Sequence, residues 1–577
     1  MASSNNKIFS GKVITVTENR TLAYNRGHNA SVCYLKDGKL DWMLEEERLS
    51  HNKYDDKPCL CIVDAGKYID SRDPIILSTA LLYSDASDED KFKEDMLCEL
   101  VRKVLRKEDI RYIDRSDEHH VHHAALGFYN SGFEEAVCVI VDGAGAWVHD
   151  CANEVETIYR ASYPASFEKL HQKAVPWYNK RDSHNLTDPT IGIGFVYSGV
   201  ADYLGFGNLG CGTVMGLAPY GHDDPNIKPF VVDGKIDEDL FERGPCGAKL
   251  KPYDYIRRVP IFKTVNDPTV KFQNLCNLAW RCQKDFEDYM IALIKNAIEI
   301  SGCNNVVLSG GCALNCVGNY KYLKDIDCNL FVEPISHDAG TSIGMGMYEW
   351  RKRWGSMDIN PLNELYLGPP RKYNVPVDAQ PTTVGEVIDI IQNGKAVTIF
   401  QGRSEQGPRA LGNRSLLFDP TIPDAKEIVN KLKGREPFRP FAGTILQEHV
   451  HEWFDMQGMN DSPYMMYAVE VLDDKKDIIP SLVHDGTCRV QTLTREQNES
   501  YYDLIEEFYK RTGVPILLNT SFNLSGDTMV ETIDDAVRTL EDSAIEYLYL
   551  PEHAKMLHVS KNNNRHKKGY INYSVYI

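Results

Sequence analysis

A chain of 577 residues is too long for one hydrophobic core, so two large domains are expected. Its composition, 42% hydrophobic and 25% charged, is ordinary for a soluble globular protein and excludes a low-complexity or fibrous one. A formal charge of −19 excludes a protein that coats nucleic acid along its whole surface, while leaving room for a local basic channel.

The opening residues Met1 to Lys7 lack the apolar core of a signal peptide, and no later stretch has the length for a membrane span. Fifteen cysteines are scattered without zinc-ribbon or secreted-disulfide spacing; Cys59/Cys61 and Cys312/Cys316 are the closest pairs, and neither has a matching second pair. A reduced, cytoplasmic setting is expected.

In chain order, residues 28–48 read as a strand, a turn at Lys36-Asp37-Gly38, a second strand, and then Glu45-Glu46-Glu47-Arg48. The alternation across residues 30–35 beside Asp-Gly is a hairpin signal. Gly27-His28-Asn29-Ala30-Ser31 stands just before it, where a loop presents polar groups over a sheet. Residues 117–125 then hold four histidines within five positions and run into an apolar stretch that reads as a helix. His119 and His123 are one turn apart on one face and suit a divalent metal, although such a pair alone fits a solvated helix start equally well. His120 and His122 point off that face. The apolar strand Val137 to Val141 ends in Asp142-Gly143-Ala144-Gly145, and a second loop presents Asp338. These two carboxylates would complete a His-His-Asp-Asp set. Residues 137–150 also repeat the strand–turn–strand plan of residues 28–48. Two such hairpins followed by helices predict an α/β, duplicated ribonuclease-H-like fold, the ASKHA architecture of acetate and sugar kinases and of actin.

That architecture calls for a glycine pair near a nucleotide phosphate after a late strand. Asn305 to Asn315 supplies it in Gly310 and Gly311, where backbone amides and a helix start favour an anion. Residues 204–221 are glycine-rich and read as a plain loop on composition. Residues 355–376, with four prolines, read as a linker. Beyond it a helix is expected over Val384 to Asn393 and a strand over Ala396 to Phe400. Gln401 to Ser415 then gathers Arg403, Arg409 and Arg414 among glycines, and Lys433 to Phe441 adds Arg435 and Arg439; in an acidic protein this composition points to phosphate binding. Two more polar loops hold Arg489 and, after a strand at 514–518, Ser521 and Asn523. The basic run Arg565 to Lys568, with Lys561 upstream, reads as a frayed terminus.

Taken together, these pieces resemble the NodU/CmcH family of O-carbamoyltransferases, whose antibiotic-tailoring members include the tobramycin carbamoyltransferase. The matching stretches are residues 27–31, 45–48 with Lys53 downstream, 119–125, 141–143, 215–221, 309–315 and 338–340. In the second unit they are 407–415, 435–441, 489–492 and 519–523. They occur in family order across nearly the whole chain.

The resemblance implies residues 1–355 as an ASKHA-type transfer domain, 356–376 as linker and 377–577 as a YrdC-like domain. The latter would turn carbamoyl phosphate and ATP into carbamoyl adenylate, with Mg2+ accompanying the ATP. The former would pass the carbamoyl group to an acceptor hydroxyl at a site holding Fe2+ or another divalent metal on His119, His123, Asp142 and Asp338. Catalytic roles are implied for His28, Lys53 and Arg439. Nucleotide contacts are implied at Gly216, Gly310, Gly311 and Asn315, and carbamoyl phosphate and ATP contacts at Arg409, Lys433, Arg439, Arg489, Ser521 and Asn523.

The chain departs from the family in three places. Cys211-Gly212-Thr213 stands where relatives carry Glu-Gly-Lys, Asn29 replaces an Asp, and an extra segment of about 20 residues precedes Gly27. The acceptor stays open between a small-molecule or sugar hydroxyl and a 5-hydroxymethyl pyrimidine in DNA or a nucleotide. Thirty-one tyrosines suit a base-stacking surface, whereas the net charge runs against one. A homodimer is compatible with all of this. The rival reading is an ASKHA-type small-molecule kinase or ATPase, which leaves the second unit idle.

Overall fold

The computed structural model describes residues 20–69, 76–80, 95–106, 110–148, 152–176, 191–244, 247–250 and 268–561. The basic run at 565–568 and the segment before Arg20 lie outside these.

The first sheet is built from β1 (Arg20–Asn25), β2 (Ser31–Lys36), β3 (Lys39–Glu45), β4 (Ile76–Ala80) and β5 (Arg111–Asp114), in the order 3-2-1-4-5. The first three form an antiparallel meander, and β4 and β5 run parallel to β1. A second sheet repeats this with β6 (Glu135–Val141), β7 (Ala152–Ser162), β8 (Ser166–Pro176), β9 (Asn305–Ser309) and β10 (Asn329–Val332). Its order is 8-7-6-9-10, again an antiparallel meander with two strands parallel to the first. Equal order and equal direction in both sheets are the duplicated ribonuclease-H-like plan. The expected turn at 142–145 differs in detail. Residues Trp147–Val148 make only a two-residue strand, and the true hairpin partner of β6 is β7, because Asp142 and Gly145 bond back to Val155 and Glu154.

Between the sheets lie the helices His119–Ser131 and Thr341–Trp354. They touch backbone to backbone. A Cβ at Gly344 would stand 2.0 Å from the His122 carbonyl oxygen, so only glycine permits the approach. Leu126, Phe128, Ile343 and Met347 fill the space between the sheets.

The glycine-rich stretch corrects the loop reading. Cys211–Leu217 is a helix that continues into a turn of 3-10 helix at Ala218–Tyr220. Val214 and Leu217 are fully buried against the long helix Pro268–Ser301, and that packing overrides local propensity.

Residues 356–376 form no helix or strand but are pinned down. Leu365 and Leu367 are buried, the Leu367 carbonyl accepts from Met43 N–H, and Arg371 pairs with Asp64 and Glu531. The second unit is a ten-stranded mixed sheet with helices Val384–Gln392 and Glu499–Thr512. Its core is continuous with that beneath β6 and β9. None of the helices among the described residues is long and apolar enough to cross a membrane.

Candidate metal centre and cationic seam

In a mixed sheet of this order, ligands gather at the carboxyl ends of the strands where the order reverses. Here that is the gap between β6 and β9. Asp142 stands immediately after β6, Gly310 and Gly311 immediately after β9, and Asp338 lies in the loop beyond β10. His119 and His123, from the first turns of the buried helix, face the same point.

The four groups converge. His119 Nε2 and His123 Nε2 are 3.2 Å apart, and Asp142 Oδ2 lies 3.4 and 3.6 Å from them. Asp338 Oδ1 lies 3.7 and 3.5 Å away, and all four ligand atoms fit within 4.8 Å of one another. Bonds of about 2.0–2.2 Å in tetrahedral array put donor atoms roughly 3.3–3.6 Å apart. The spacing therefore fits one ion, and two imidazoles with two carboxylates suit Fe2+, Mn2+ or Zn2+. Burial works against charge on His123, yet hydrogen bonds and charge from Asp142 and Asp338 push it up to about 9. Burial likewise opposes the Asp142 carboxylate, but His119 and His123 hold it well below its usual range. Two carboxylates converging on two imidazoles in a largely buried pocket form a place where a cation can substitute for a proton.

The surroundings orient these ligands. Asp142 Oδ1 accepts from Gly143 N–H and Gly311 N–H, so the glycine pair supports the carboxylate. A Cβ at Gly311 would stand 3.0 Å from that oxygen. Ser309 Oγ lies 3.5 Å from His123 Nδ1. The Asp338 loop is tied to the first sheet. Asn25 donates to its carbonyl, and Ser31 Oγ donates to the Ala339 carbonyl and meets Ser342 Oγ. Asn29 sits at φ 56, a conformation that Asn tolerates well. His120 is buried, bonds Thr157 Oγ1 through Nδ1, and is pushed down to about 4 chiefly by burial. His122 is buried against the neighbouring helix. Neither faces the cluster.

The remaining candidates distribute along a seam between the two units. Lys433 is buried, with its ammonium on the Ser521 carbonyl and hydroxyl and 2.9 Å from Asn523 Oδ1. Burial, reinforced by Arg435, Lys53 and Arg439, pushes it well below its ordinary value. Lys53, reaching in from the first unit, is pushed down by loss of solvent and by Arg439 and Arg435, while Glu47 and Asp527 oppose. Lys53, Lys433, Arg435 and Arg439 thus form one cationic cluster assembled from both units. Arg439 Nη1 donates to Thr213 Oγ1 at 2.7 Å. Thr213 thus serves as an acceptor for Arg439.

Arg409 reaches across the seam to the Leu314 carbonyl, in the turn that follows the glycine pair. Burial and the adjacent Arg489 guanidinium depress it to about 9. The Nε atoms of Arg409 and Arg489 are both buried without a hydrogen-bond acceptor. Two like charges held side by side with open donors suit an anion. The other loop arginines do not join them. Arg403 donates to the carbonyls of Asp41, Leu367 and Gly368, and Arg414 to those of Gln401, Gly402 and Asn413. Both hold backbone in place, a distinction that composition does not reveal.

Three candidates lie elsewhere than the ligand cluster. His28 is exposed and stacks on Tyr54 at 5.1 Å. Asn315 caps the following helix and exchanges hydrogen bonds with Gln283. Gly216 faces Pro440, and its carbonyl is 2.8 Å from His484 Nε2, which makes it a seam residue. Glu45 escaped the site prediction although it links the units. It accepts from Gly407 N–H at 2.7 Å and lies 3.8 Å from His337, the neighbour of Asp338. The sequence marks residues 45–48 only as a matching stretch; the burial of Glu45 beside Arg48 and its bond to Gly407 are visible only in the fold.

A family model described as Carbamoyltransferase N-terminus matches residues 67–347, and one described as Carbamoyltransferase C-terminus matches residues 388–556. The chain is 30% identical over 550 residues to nodulation protein NolNO of Sinorhizobium fredii, covering 89% of this chain and 76% of that one. It is 30% identical over 445 residues to nodulation protein NolO of Bradyrhizobium diazoefficiens, covering 73% and 75%. Nodulation protein U of Sinorhizobium fredii is 34% identical over 250 residues, 42% of this chain and 44% of that one. Among solved structures, full-length HypF in its phosphate- and nucleotide-bound form is similar over 59% of this chain and 56% of that one. The identity is 13% and the TM-score 0.35, too distant a likeness to carry an argument.

Proposed function

The chain belongs to the carbamoyltransferase family, and from that premise we propose an ATP-dependent O-carbamoyltransferase that works in two steps at two sites. In the first step, residues 377–577, read as a YrdC-like unit, take carbamoyl phosphate and ATP with Mg2+. Water cleaves carbamoyl phosphate to carbamate and phosphate. A carbamate oxygen then attacks the α-phosphorus of ATP, giving carbamoyl adenylate and releasing pyrophosphate. In the second step an acceptor hydroxyl attacks the carbamoyl carbon, its proton is lost, and AMP departs.

The observation that supports this reading is the cationic cluster assembled from both units. Lys433, Arg435 and Arg439 from one unit and Lys53 from the other offer charge to a triphosphate, where electrostatic stabilisation does most of the work in phosphoryl chemistry. Ser521 and Asn523 fix the Lys433 ammonium in place. Arg409 and Arg489 suit the phosphate of carbamoyl phosphate or the adenylate, beside the turn that holds Gly310 and Gly311. His119, His123, Asp142 and Asp338 would hold the divalent ion, Fe2+ by resemblance. When bound, it would supply Lewis-acid stabilisation of charge developing on carbonyl and phosphate oxygens. His28, exposed beside Tyr54, is accessible for taking the proton of an entering hydroxyl, a role worth about 10²–10⁴-fold.

Transfer between sites without loss requires that carbamoyl adenylate stay out of bulk water. The bonds Arg409–Leu314, Arg439–Thr213 and Gly407–Glu45 hold the two sites against one another. The test is incubation with ATP, Mg2+ and carbamoyl phosphate. Pyrophosphate that appears only with carbamoyl phosphate supports the reading; ADP in its place would favour a kinase or ATPase.

A further inference from the structure

Glu45 to Arg48 lie where β3 runs into the short helix Glu46–Ser50. Two of the four serve their own unit. Glu46 accepts from Leu60 N–H and Cys61 N–H, and Glu47 accepts from Tyr54 N–H. The other two, three positions apart and so on one face, turn to the second unit. Glu45 Oε1 accepts from Gly407 N–H at 2.7 Å, and Arg48 Nη2 donates to the Gly407 carbonyl at 3.0 Å. Arg48 Nη2 also lies 3.5 Å from Glu45 Oε1, so a carboxylate, a guanidinium and both backbone polar groups of one glycine close a ring.

Both side chains are 2% exposed, and Arg48 Nε and Nη1 have no hydrogen-bond acceptor. A buried pair with open donors stabilises a fold little, because loss of solvent offsets its attraction. What it supplies is a fixed place for Gly407. That residue holds φ 90, and a Cβ on it would stand 3.2 Å from Ile335 Cγ1, so glycine alone fits without strain.

Gly407 stands two residues before Arg409. The backbone after Arg409 is held by its own unit. The Asn519 amide donates to the Ala410 carbonyl and the Gln491 amide to the Leu411 carbonyl, while Glu405 Oε1 accepts from Leu411, Asn413 and Arg414 N–H. The backbone before Arg409 is held from outside that unit, by the ring on Gly407 and by the Leu365 carbonyl, which accepts from Gln406 N–H. The turn that carries Arg409 is thus anchored at its two ends from two sides of the seam.

We infer that Glu45 and Arg48 are positioning residues for the anion site of the second unit. By fixing Gly407 they set where the Arg409 guanidinium stands beside Arg489, and so how tightly the phosphate of carbamoyl phosphate is held. The identity of that anion rests on the two-step reading above. Guanidinium recognition of phosphate depends on the direction of its N–H fork, so a small shift of the turn is felt as lost affinity.

The test compares the unaltered full-length protein with Glu45→Met/Arg48→Met, with Arg409→Ala and with all three changes together. Replacing both members of the pair leaves neither charge buried alone. Affinity for inorganic phosphate is measured by calorimetry with a non-hydrolysable ATP analogue at saturation, and kcat/KM for carbamoyl phosphate from pyrophosphate release. The pair variant and Arg409→Ala should each weaken phosphate tenfold or more and lower kcat/KM in proportion. The triple variant should match Arg409→Ala within twofold, because the pair acts through that arginine. The KM for ATP and the bound metal should stay within twofold of the unaltered protein. Arg48→Lys, the milder change, keeps a donor but not its fork and should weaken phosphate threefold or more. Unchanged phosphate affinity in either variant of the pair, losses that multiply in the triple variant, or an equal rise in the KM for ATP would each overturn the inference. So would a fall in bound metal with phosphate affinity intact, which would make the pair a support of the Asp338 loop. Absence of pyrophosphate release by the unaltered protein would remove the two-step reading, while the phosphate affinities would still decide the positioning role.

Discussion

At the scale of single residues, the account turns on four ligand atoms held within 4.8 Å. His119→Ala removes one donor and leaves two carboxylates facing one imidazole. Bound metal measured by mass spectrometry and carbamoyl transfer should both fall at least a hundredfold, while pyrophosphate release persists. Loss of pyrophosphate release in this variant would contradict two separate sites. Arg439→Ala should do the reverse, abolishing pyrophosphate release while metal content stays at wild-type level; normal release would take Arg439 out of the first step. Glu333 offers a pH signature apart from catalysis. Burial pushes its carboxyl up to about 7 from an ordinary 4.5, against hydrogen bonds from Ile335 N–H and Asn130. The folded state therefore binds the proton more tightly than the unfolded one. The stability this confers is complete below pH 4.5 and is lost as pH rises through about 7. Glu333→Gln cannot ionise, so melting curves from pH 5 to pH 8 should decline less steeply than those of the unaltered protein. An equal slope would assign the pH dependence elsewhere. The His119/His123 pair was legible from helical spacing, and its union with Asp142 and Asp338 from strand-end position. The bonds of Ser31 to the Asp338 loop and of Thr213 to Arg439 were not legible, because no motif or periodicity marks those residues as partners.

At the scale of elements, hairpins and strands declared themselves through alternation and Asp-Gly turns, as β2 and β3 do around Gly38. The helix Cys211–Leu217 did not. Its glycines argue for a loop, and only the burial of Val214 and Leu217 against Pro268–Ser301 makes it helical. The paired helices on the metal-site side make a close backbone contact. Gly344→Ala would press a methyl group against the His122 carbonyl, now 2.0 Å from the Cβ position. It should cost about 1–3 kcal/mol or more. Because His119 and His123 ride on the displaced helix, metal content should fall with stability. Denaturant unfolding together with metal analysis checks both, and retention of full metal content would show that the helix can shift without moving its ligands.

At the scale of the whole molecule, the duplicated sheets supply one kind of site and the ten-stranded sheet another, and a continuous core joins them. Residues 356–376 act as a strap, with Arg371 paired to Asp64 on one side and Glu531 on the other. The sequence marks this stretch by its prolines but says nothing of its contacts. Since no loose tether separates the units, calorimetry should record one cooperative thermal transition; two resolved transitions would mean that the seam contributes little. The seam is also where chemistry and architecture meet, since Arg409, Arg439 and Gly407 of one unit each bond the other.

The most direct test of the central claim uses carbamoyl phosphate labelled in its carbonyl carbon, with ATP, Mg2+ and Fe2+, and hydroxylated amines, neutral sugars and hydroxymethyl pyrimidines as acceptors. The account predicts pyrophosphate and AMP in equal amounts, with the label covalently attached to an acceptor oxygen. Label remaining in carbamoyl phosphate, with ATP converted to ADP or left intact, would contradict it.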